Sequence, residues 1–264
     1  VNTLVFDIET VPDVELGRKL YEIADLDDAS VAKIMFFKNK QARGTDFLPL
    51  VQHRIVVVSA VMESRGELKI FSLDEEEGGE KQIVQRFFDG LERYSPELVS
   101  WNGSGFDLPV LHYRALRHGV IASRYWETGD SDREFRYNNY LNRFHWRHLD
   151  LMDILAGYQA GGRASLEQVA QLLGLPGKLG MSGANVWDQY LEGKLGEIRD
   201  YCETDALNTY LVFLRFQLMR GLIDPAEHGR RVRRLVEKLH GSDRAHLKSF
   251  LESWLAADPA VAEG

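Results

Sequence analysis

One cysteine, Cys202, stands in a chain of 264 residues. A lone thiol excludes an intrachain disulfide framework and a cysteine-based metal site. No apolar run is long enough to read as a membrane span, and no signal-like segment precedes the first apolar stretch. Both absences favour the cytoplasm. A basic surplus is also missing: 32 Lys and Arg against 40 Asp and Glu give a formal charge of −8. Binding a polyanion through the whole surface is thereby disfavoured, and any such binding must use local basic patches. No internal repeat or low-complexity segment stands out. What the chain does have is 44% hydrophobic content, enough to bury a sizeable core in one domain with an extension.

Three short strings, far apart, set carboxylates in largely apolar surroundings. The first is Leu4-Val5-Phe6-Asp7-Ile8-Glu9-Thr10. Its short apolar run, followed by Pro12, reads as a buried strand. Side chains alternate along a strand, so Asp7 and Glu9 project from one face. Two carboxylates on one face repel each other, and a divalent cation removes that conflict. A strand end open to water accounts for the string equally well when it is taken alone.

The second string, Trp101 to Asp107, follows the short strand Glu97 to Trp101. Gly103 and Gly105 allow a sharp turn, and Pro109 suits the first turn of the helix that begins at Asp107. Alone, Asp107 reads as an ordinary N-terminal helix acid. In the third string, Tyr201 and Asp205 stand at i and i+4, so they share a helix face. Four acids and a tyrosine in this order make metal-assisted phosphoryl chemistry the more economical explanation.

Asp7-Ile8-Glu9-Thr10, Asn102 to Phe106-Asp107 and Tyr201 to Asp205-Ala206 together resemble the three motifs of the DEDDy 3′–5′ exonucleases. These form part of the DnaQ-like branch of the ribonuclease-H-like superfamily. The form is similar to the exonuclease domain of family B DNA polymerases, and closer to stand-alone bacterial relatives of it. The resemblance covers about residues 3 to 220, and the chain is too short to include such a polymerase. It implies an α/β, ribonuclease-H-like fold: a mixed central sheet flanked by helices. Residues 1–222 would form the exonuclease domain and 223–264 a helical C-terminal extension packed on it.

By that resemblance Asp7, Glu9 and Asp205 would hold the metal that carries the attacking water. Asp7 would bridge to a second metal, supported by Asp107. Oxygen ligands suit Mg²⁺ or Mn²⁺, and two such ions serve an in-line displacement. Tyr201 would orient the water; a phenol with an ordinary pKa of about 10 is a poor general base. Thr10, Asn102 and Phe106 match positions near the 3′-terminal nucleotide, although Phe106 also reads as core and Thr10 as a strand end. The implied substrate is a DNA or RNA 3′ end, single-stranded, released as nucleoside 5′-monophosphates. No membrane is implied, and nothing identifies a protein partner. An endonuclease on the same fold, or a non-catalytic nucleic-acid-binding scaffold, are the alternatives.

Periodicity places an irregular stretch at 11–52, amphipathic near Leu16 to Phe37. A strand pair is expected at Arg54 to Met62 and Glu67 to Leu73, and a helix from Lys81 to Tyr94. A strand follows at His148 to Ile154, then a helix from Ser165 and a loop to Trp187. The helix of the third string ends near Gly221, and two further helices reach Ala257.

Several features compete for attention. Gly174 to Leu179 echoes a phosphate loop but lacks its first glycine and its Ser or Thr. His145 and His148 straddle a strand boundary, which argues against a shared metal; Asp150 and Asp153, on a strand that neighbours the core, are secondary candidates for reaching the site. Arg124 to His148 interleaves arginines with aromatics including Trp126 and Tyr137. That pattern suits either base stacking or a folded satellite core. His228 to Lys248 carries seven cations against Glu237 and Asp243, net +5, and reads as a nucleic-acid surface or a solvated helix face.

Overall fold

Leu4, Phe6 and Ile8 alternate with Val5, Asp7 and Glu9 along β1 (Thr3–Pro12), so this strand buries two different faces. The computed structural model describes residues 2–178 and 180–258. Among them β2 (His53–Ser64), β3 (Glu67–Asp74), β4 (Glu97–Ser100) and β5 (His148–Asp150) complete a mixed sheet in the order β3-β2-β1-β4-β5. β1 pairs antiparallel with β2 and parallel with β4. The helices are α1 (Val14–Tyr21), α2 (Asp28–Arg43), α3 (Gly79–Tyr94), α4 (Asp107–His118), α5 (Ser123–Trp126) and α6 (Leu151–Leu155). They continue with α7 (Leu166–Leu172), α8 (Val186–Leu191), α9 (Leu195–Met219), α10 (Pro225–His240) and α11 (Ala245–Ala257).

One face of the sheet carries α9. Val5, Val61 and Val99 pack there with Leu207, Tyr210 and Leu214, and α10 and α11 close the layer through Leu235 and Phe250. The other face carries α3 and α4: Phe6, Ile8 and Leu98 meet Phe87, Leu91 and Leu111. Each large apolar side chain buried in this way contributes about 1.5–3 kcal/mol relative to exposure. With helices on both faces of a mixed sheet, the ribonuclease-H-like arrangement follows. No helix among the described residues is long and apolar enough to cross a membrane.

The stretch 11–52 is more regular than its sequence suggests. Asp13 and Asp27 accept backbone hydrogen bonds from Leu16 and Ser30, starting α1 and α2, and Gly44 ends α2 in the left-handed region. The strand expected at His148 to Ile154 stops at Asp150, whose side chain caps α6 instead. The C-terminal basic stretch is largely engaged in ion pairs. Arg231 and Arg234 reach Glu63, Arg230 and Arg231 reach Glu227, and Arg244 reaches Glu203. Leu179 of the loop that echoes a phosphate loop, and residues 259–264 of the extension, lie outside the described residues, as does Val1.

Candidate active site

β1 pairs with β4 only from Thr3 to Val5, whereas β1 itself continues to Pro12. Asp7 and Glu9 therefore fall beyond the end of the parallel pair, where carboxyl ends of strands open a crevice. Both share the face of Val5, which is the face covered by α9. That helix presents Tyr201 and Asp205 one turn apart, and Asp107 begins α4 from the other side. Glu9, Asp107 and Asp205 are only 8%, 3% and 9% exposed, and Asp7 is half-buried.

Four carboxylates so placed cannot all ionise without help. Burial, then the charges of Asp107, Glu9 and Asp205, push the Asp7 carboxyl well above its ordinary range. Burial and then Asp205 and Asp107 do the same to Glu9. Burial lifts Asp107 to about 7, with Asp150 adding to the effect and the backbone N–H groups of Asp107 and Ile8 opposing it. Asp205 rises to about 6, again through burial, held back by the Tyr201 hydroxyl and the charge of Lys178. The Asp205 Oδ1 atom is buried without a hydrogen-bond partner. Buried like-charged carboxylates with an orphaned oxygen are the donor set that a hard divalent cation satisfies. Among the described residues, ligand atoms of Asp7, Glu9 and Cys202 lie within 4.8 Å of one another.

Cys202 is fully buried beside Asp7. Its Sγ lies 3.4 Å from the Asp7 carbonyl oxygen and 3.5 Å from Asp7 Oδ2. Burial first, then the charges of Asp7 and Glu9, raise the thiol far up, so it stays protonated and donates to Asp7. A protonated thiol is not a metal ligand. The Tyr201 phenol is driven upward by burial and by Asp205, Glu9 and Asp7, which keeps its hydroxyl proton in place.

The loop of the second string differs from expectation in one respect. Its left-handed residue is Asn102 (φ 66°), not a glycine. The glycines serve close approach instead. A Cβ on Gly103 would meet Ser100 Oγ at 2.2 Å, and one on Gly105 would meet Asn102 Oδ1 at 2.5 Å. Asp150 reaches the site indirectly: its two oxygens accept from the backbone N–H groups of Asn102 and Ser104, each at 2.9 Å, and so fix the loop that ends at Asp107. Asp153 is turned away, paired with Arg143 and Arg163. The ring nitrogen of His148 meets Ser100 Oγ, and His145 accepts from the backbone N–H of Asn139.

Thr10 and Phe106 do come together. A bulge between Glu9 and Thr10 shifts the register of β1 against β2, and such bulges re-aim side chains. Thr10 Oγ1 lies 2.9 Å from His53 Nδ1, and the other ring nitrogen lies 3.2 Å from the Leu48 carbonyl oxygen. That carbonyl can only accept, so Nε2 carries the ring proton and Thr10 donates to Nδ1. His53 packs edge-on against Phe106 at 5.1 Å.

Trp126 and Tyr137 lie elsewhere. Trp126 packs on His112 and Tyr125. Tyr125 stacks on Tyr140, whose hydroxyl donates to the Pro96 carbonyl just before β4. That is the opposite end of the strands from the carboxylates. Buried Phe135 lies between the guanidinium groups of Arg124 and Arg147 at 4.2 and 3.9 Å. The segment is therefore folded as a satellite core with Trp126 and Tyr137 on its exposed surface.

Lys178 is the residue that the sequence reading passed over. Its Nζ stands 5.7 Å from the centre of the Tyr201 ring, and its charge acts on Glu9 and Asp205. Buried Asn208, one turn beyond Thr204 on α9, positions it by exchanging hydrogen bonds with both backbone groups of Gly177. The signal was the cation itself, in a loop rejected for its poor match to a different motif.

Residues 45–254 match the family described as predicted 3′–5′ exonucleases related to the exonuclease domain of PolB. The chain belongs to this family. The match contains Asp107, Tyr201 and Asp205; Asp7 and Glu9 precede it. The DNA polymerase epsilon catalytic subunit from Saccharomyces cerevisiae is 27% identical over 150 residues, which is 53% of this chain and 6% of that protein. A DNA polymerase from Archaeoglobus fulgidus is 25% identical over 138 residues, 51% of this chain and 17% of that protein. The chain therefore spans a small part of either relative.

Proposed function

We propose that this family member is an active 3′–5′ exonuclease that uses two divalent cations, Mg²⁺ or Mn²⁺, to release nucleoside 5′-monophosphates from single-stranded DNA ends. The observation that carries the reading is the mutual charge coupling of Asp7, Glu9, Asp107 and Asp205, with one Asp205 oxygen buried and unsatisfied, beside Tyr201. The charges of Glu9, Asp107 and Asp205 all act on Asp7, so these four carboxylates would hold the ions, with Asp7 the residue most shared among them. Bound there, the ions supply positive charge to the reacting phosphate and acidify a water. Tyr201, fixed as a protonated phenol, orients that water by hydrogen bonding and is not its base. Lys178 faces the developing negative charge from the rim. Preference for DNA is supported by the two relatives, both DNA polymerases by name.

The test is digestion of end-labelled oligonucleotides, DNA and RNA, with Mg²⁺, Mn²⁺ or chelator. Stepwise mononucleotide release that needs metal and is slowed by a 3′ block, not a 5′ block, is expected. Internal cuts would replace this reading with an endonuclease. Binding without cleavage would replace it with a scaffold.

A further inference from the structure

Leu173 and Leu175 beyond α7, Leu211 on α9, Val232 on α10 and Trp254 on α11 wall a cavity of about 230 Å³ that opens to solvent. Two of these helices set a basic group one turn from their apolar residue, where i and i+4 share a face. Arg215 follows Leu211, and His228 precedes Val232. Both basic groups line the cavity, as do Arg233 and Asp258. On α9, at about 1.5 Å per residue, Arg215 lies about 15 Å beyond Asp205, so the cavity is separate from the carboxylate cluster.

Arg230, Arg231 and Arg234 of α10 are held by Glu227 and Glu63. Among the described residues, the Arg215 guanidinium and the His228 ring make no hydrogen bond or ion pair. They oppose each other instead: burial, then the charge of Arg215, holds the His228 imidazole below its ordinary range. An anion lying between them would satisfy both and relieve that opposition. Deeper in, Leu175 and Leu211 offer only carbon. A polar group pushed there would lose its hydrogen bonds to water and gain none. A nucleobase, with its polar edges, fits such a floor poorly, and an apolar side chain fits it well.

An apolar cavity of about 150 Å³ holds a benzene ring, whereas sites that enclose a whole small molecule run to about 300–1,000 Å³. This cavity lies between the two, with room for one large side chain and a carboxylate beside it. We propose that it is a docking site for an acidic peptide segment of a partner protein. The segment inserts one aromatic or branched apolar side chain among Leu175, Leu211 and Val232, and sets a flanking carboxylate between Arg215 and His228. The buried anchor carries most of the affinity in such a contact, and the flanking acids fix its register. Because the carboxylate cluster is elsewhere, a partner held here leaves it open.

The probe is a fluorophore-labelled peptide, Gly-Asp-Glu-Phe-Asp-Gly, with two controls: one with Phe replaced by Ala, the other with its acids replaced by Asn and Gln. Anisotropy is read with the full chain as wild type, Arg215→Gln and Val232→Phe, the last filling the cavity from its wall. Each control peptide and each variant should weaken binding about tenfold or more. Arg215→Gln should make no further difference to the Asn and Gln peptide, because the pair it breaks is already gone. Thermal unfolding shows whether Val232→Phe is folded; Arg215 is exposed, so Arg215→Gln decides the question if it is not. No binding of the acidic peptide up to about 1 mM, or equal binding by wild type and Arg215→Gln, would overturn the proposal. Binding of 3-phenylpropionate as tight as that of the peptide would replace it with a small-molecule site. Weaker oligonucleotide binding by Arg215→Gln, with no peptide bound by wild type, would replace it with a nucleic-acid contact.

Discussion

Arg244 Nη1 lies 2.7 Å from both carboxylate oxygens of Glu203, a residue 1% exposed between Tyr201 and Asp205 on α9. Ser72 from β3 and His246 from α11 donate to the same carboxylate at 2.7 Å. Burial raises the Glu203 carboxyl, but these hydrogen bonds and the Arg244 charge outweigh it and hold it below its ordinary range. The C-terminal helices are thereby tied to the helix that carries the site. Arg244→Ala leaves a buried charge with fewer partners. Arg244 is itself partly exposed, so the expected loss is about 2 kcal/mol, short of the 3–5 kcal/mol for a fully buried pair. Denaturant unfolding would measure it; a change under about 0.5 kcal/mol would refute the tie.

Asp7→Asn should abolish turnover while leaving the metal-free protein at least as stable as wild type. The mutation removes one charge from a cluster whose members raise one another. Mn²⁺ affinity should fall by more than the about 10- to 100-fold typical when a residue supporting a ligand is lost. Calorimetric titration beside thermal unfolding in chelator checks both. Two undisturbed metal sites would remove the bridging role.

The same electrostatics set a pH dependence. Asp107 titrates near 7 in the fold against about 3.8 when unfolded, so the folded state holds the extra proton between those values. Stability conferred by that group is present at low pH and is lost as pH rises from about 4 through 7. In chelator, the melting temperature of Asp107→Asn should decline less than that of wild type over this window. Divalent metal should stabilise wild type more at pH 8 than at pH 5, because binding displaces the protons. Parallel wild-type and mutant profiles would contradict the assignment.

Lys178→Ala separates two roles by sign. Removing a cation that faces Glu9 and Asp205 should leave Mn²⁺ affinity unchanged or tighter. Cleavage should slow about tenfold, less than the about 10²–10³-fold seen for a buried oxyanion donor, since Lys178 is exposed. A parallel fall in metal affinity would show that Lys178 acts only on the loop.

The carboxylates were legible because each depends on local geometry: alternation for Asp7 and Glu9, one helical turn for Tyr201 and Asp205, a helix start for Asp107. What escaped depends on pairings distant in sequence. Asp150 holds Asn102 from 48 positions away, and Glu203 finds Arg244 41 positions on. Arg231 and Arg234 of the basic stretch looked available because Glu63, their partner on β2, is remote in the chain. Arg124 and Arg147 suited phosphate contact, but the fold sets Phe135 between them. Helices α1 and α2 were missed for a local reason: caps at Asp13 and Asp27 divide one weakly amphipathic stretch into two elements.

Tyr201→Phe tests the water-positioning role with the least disturbance. The ring remains against Lys178 and within its buried seat, so packing and the position of Cys202 should persist. Only the hydroxyl goes, and with it the group that holds Asp205 down toward its ordinary range. The Asp205 carboxyl should therefore rise above about 6, and full metal occupancy should require slightly higher pH. At pH 8 that effect is small, so Mn²⁺ affinity should stay near wild type. Turnover should nevertheless fall about 10²-fold, the lower end for loss of a positioned catalytic group, because on the proposed mechanism ions held by the carboxylates would still activate water. Single-turnover cleavage at saturating Mg²⁺, at pH 6.5 and pH 8, distinguishes the two contributions. A deficit that disappears at pH 8 would mean that Tyr201 acts only through Asp205, and a wild-type rate at both values would remove it from the mechanism.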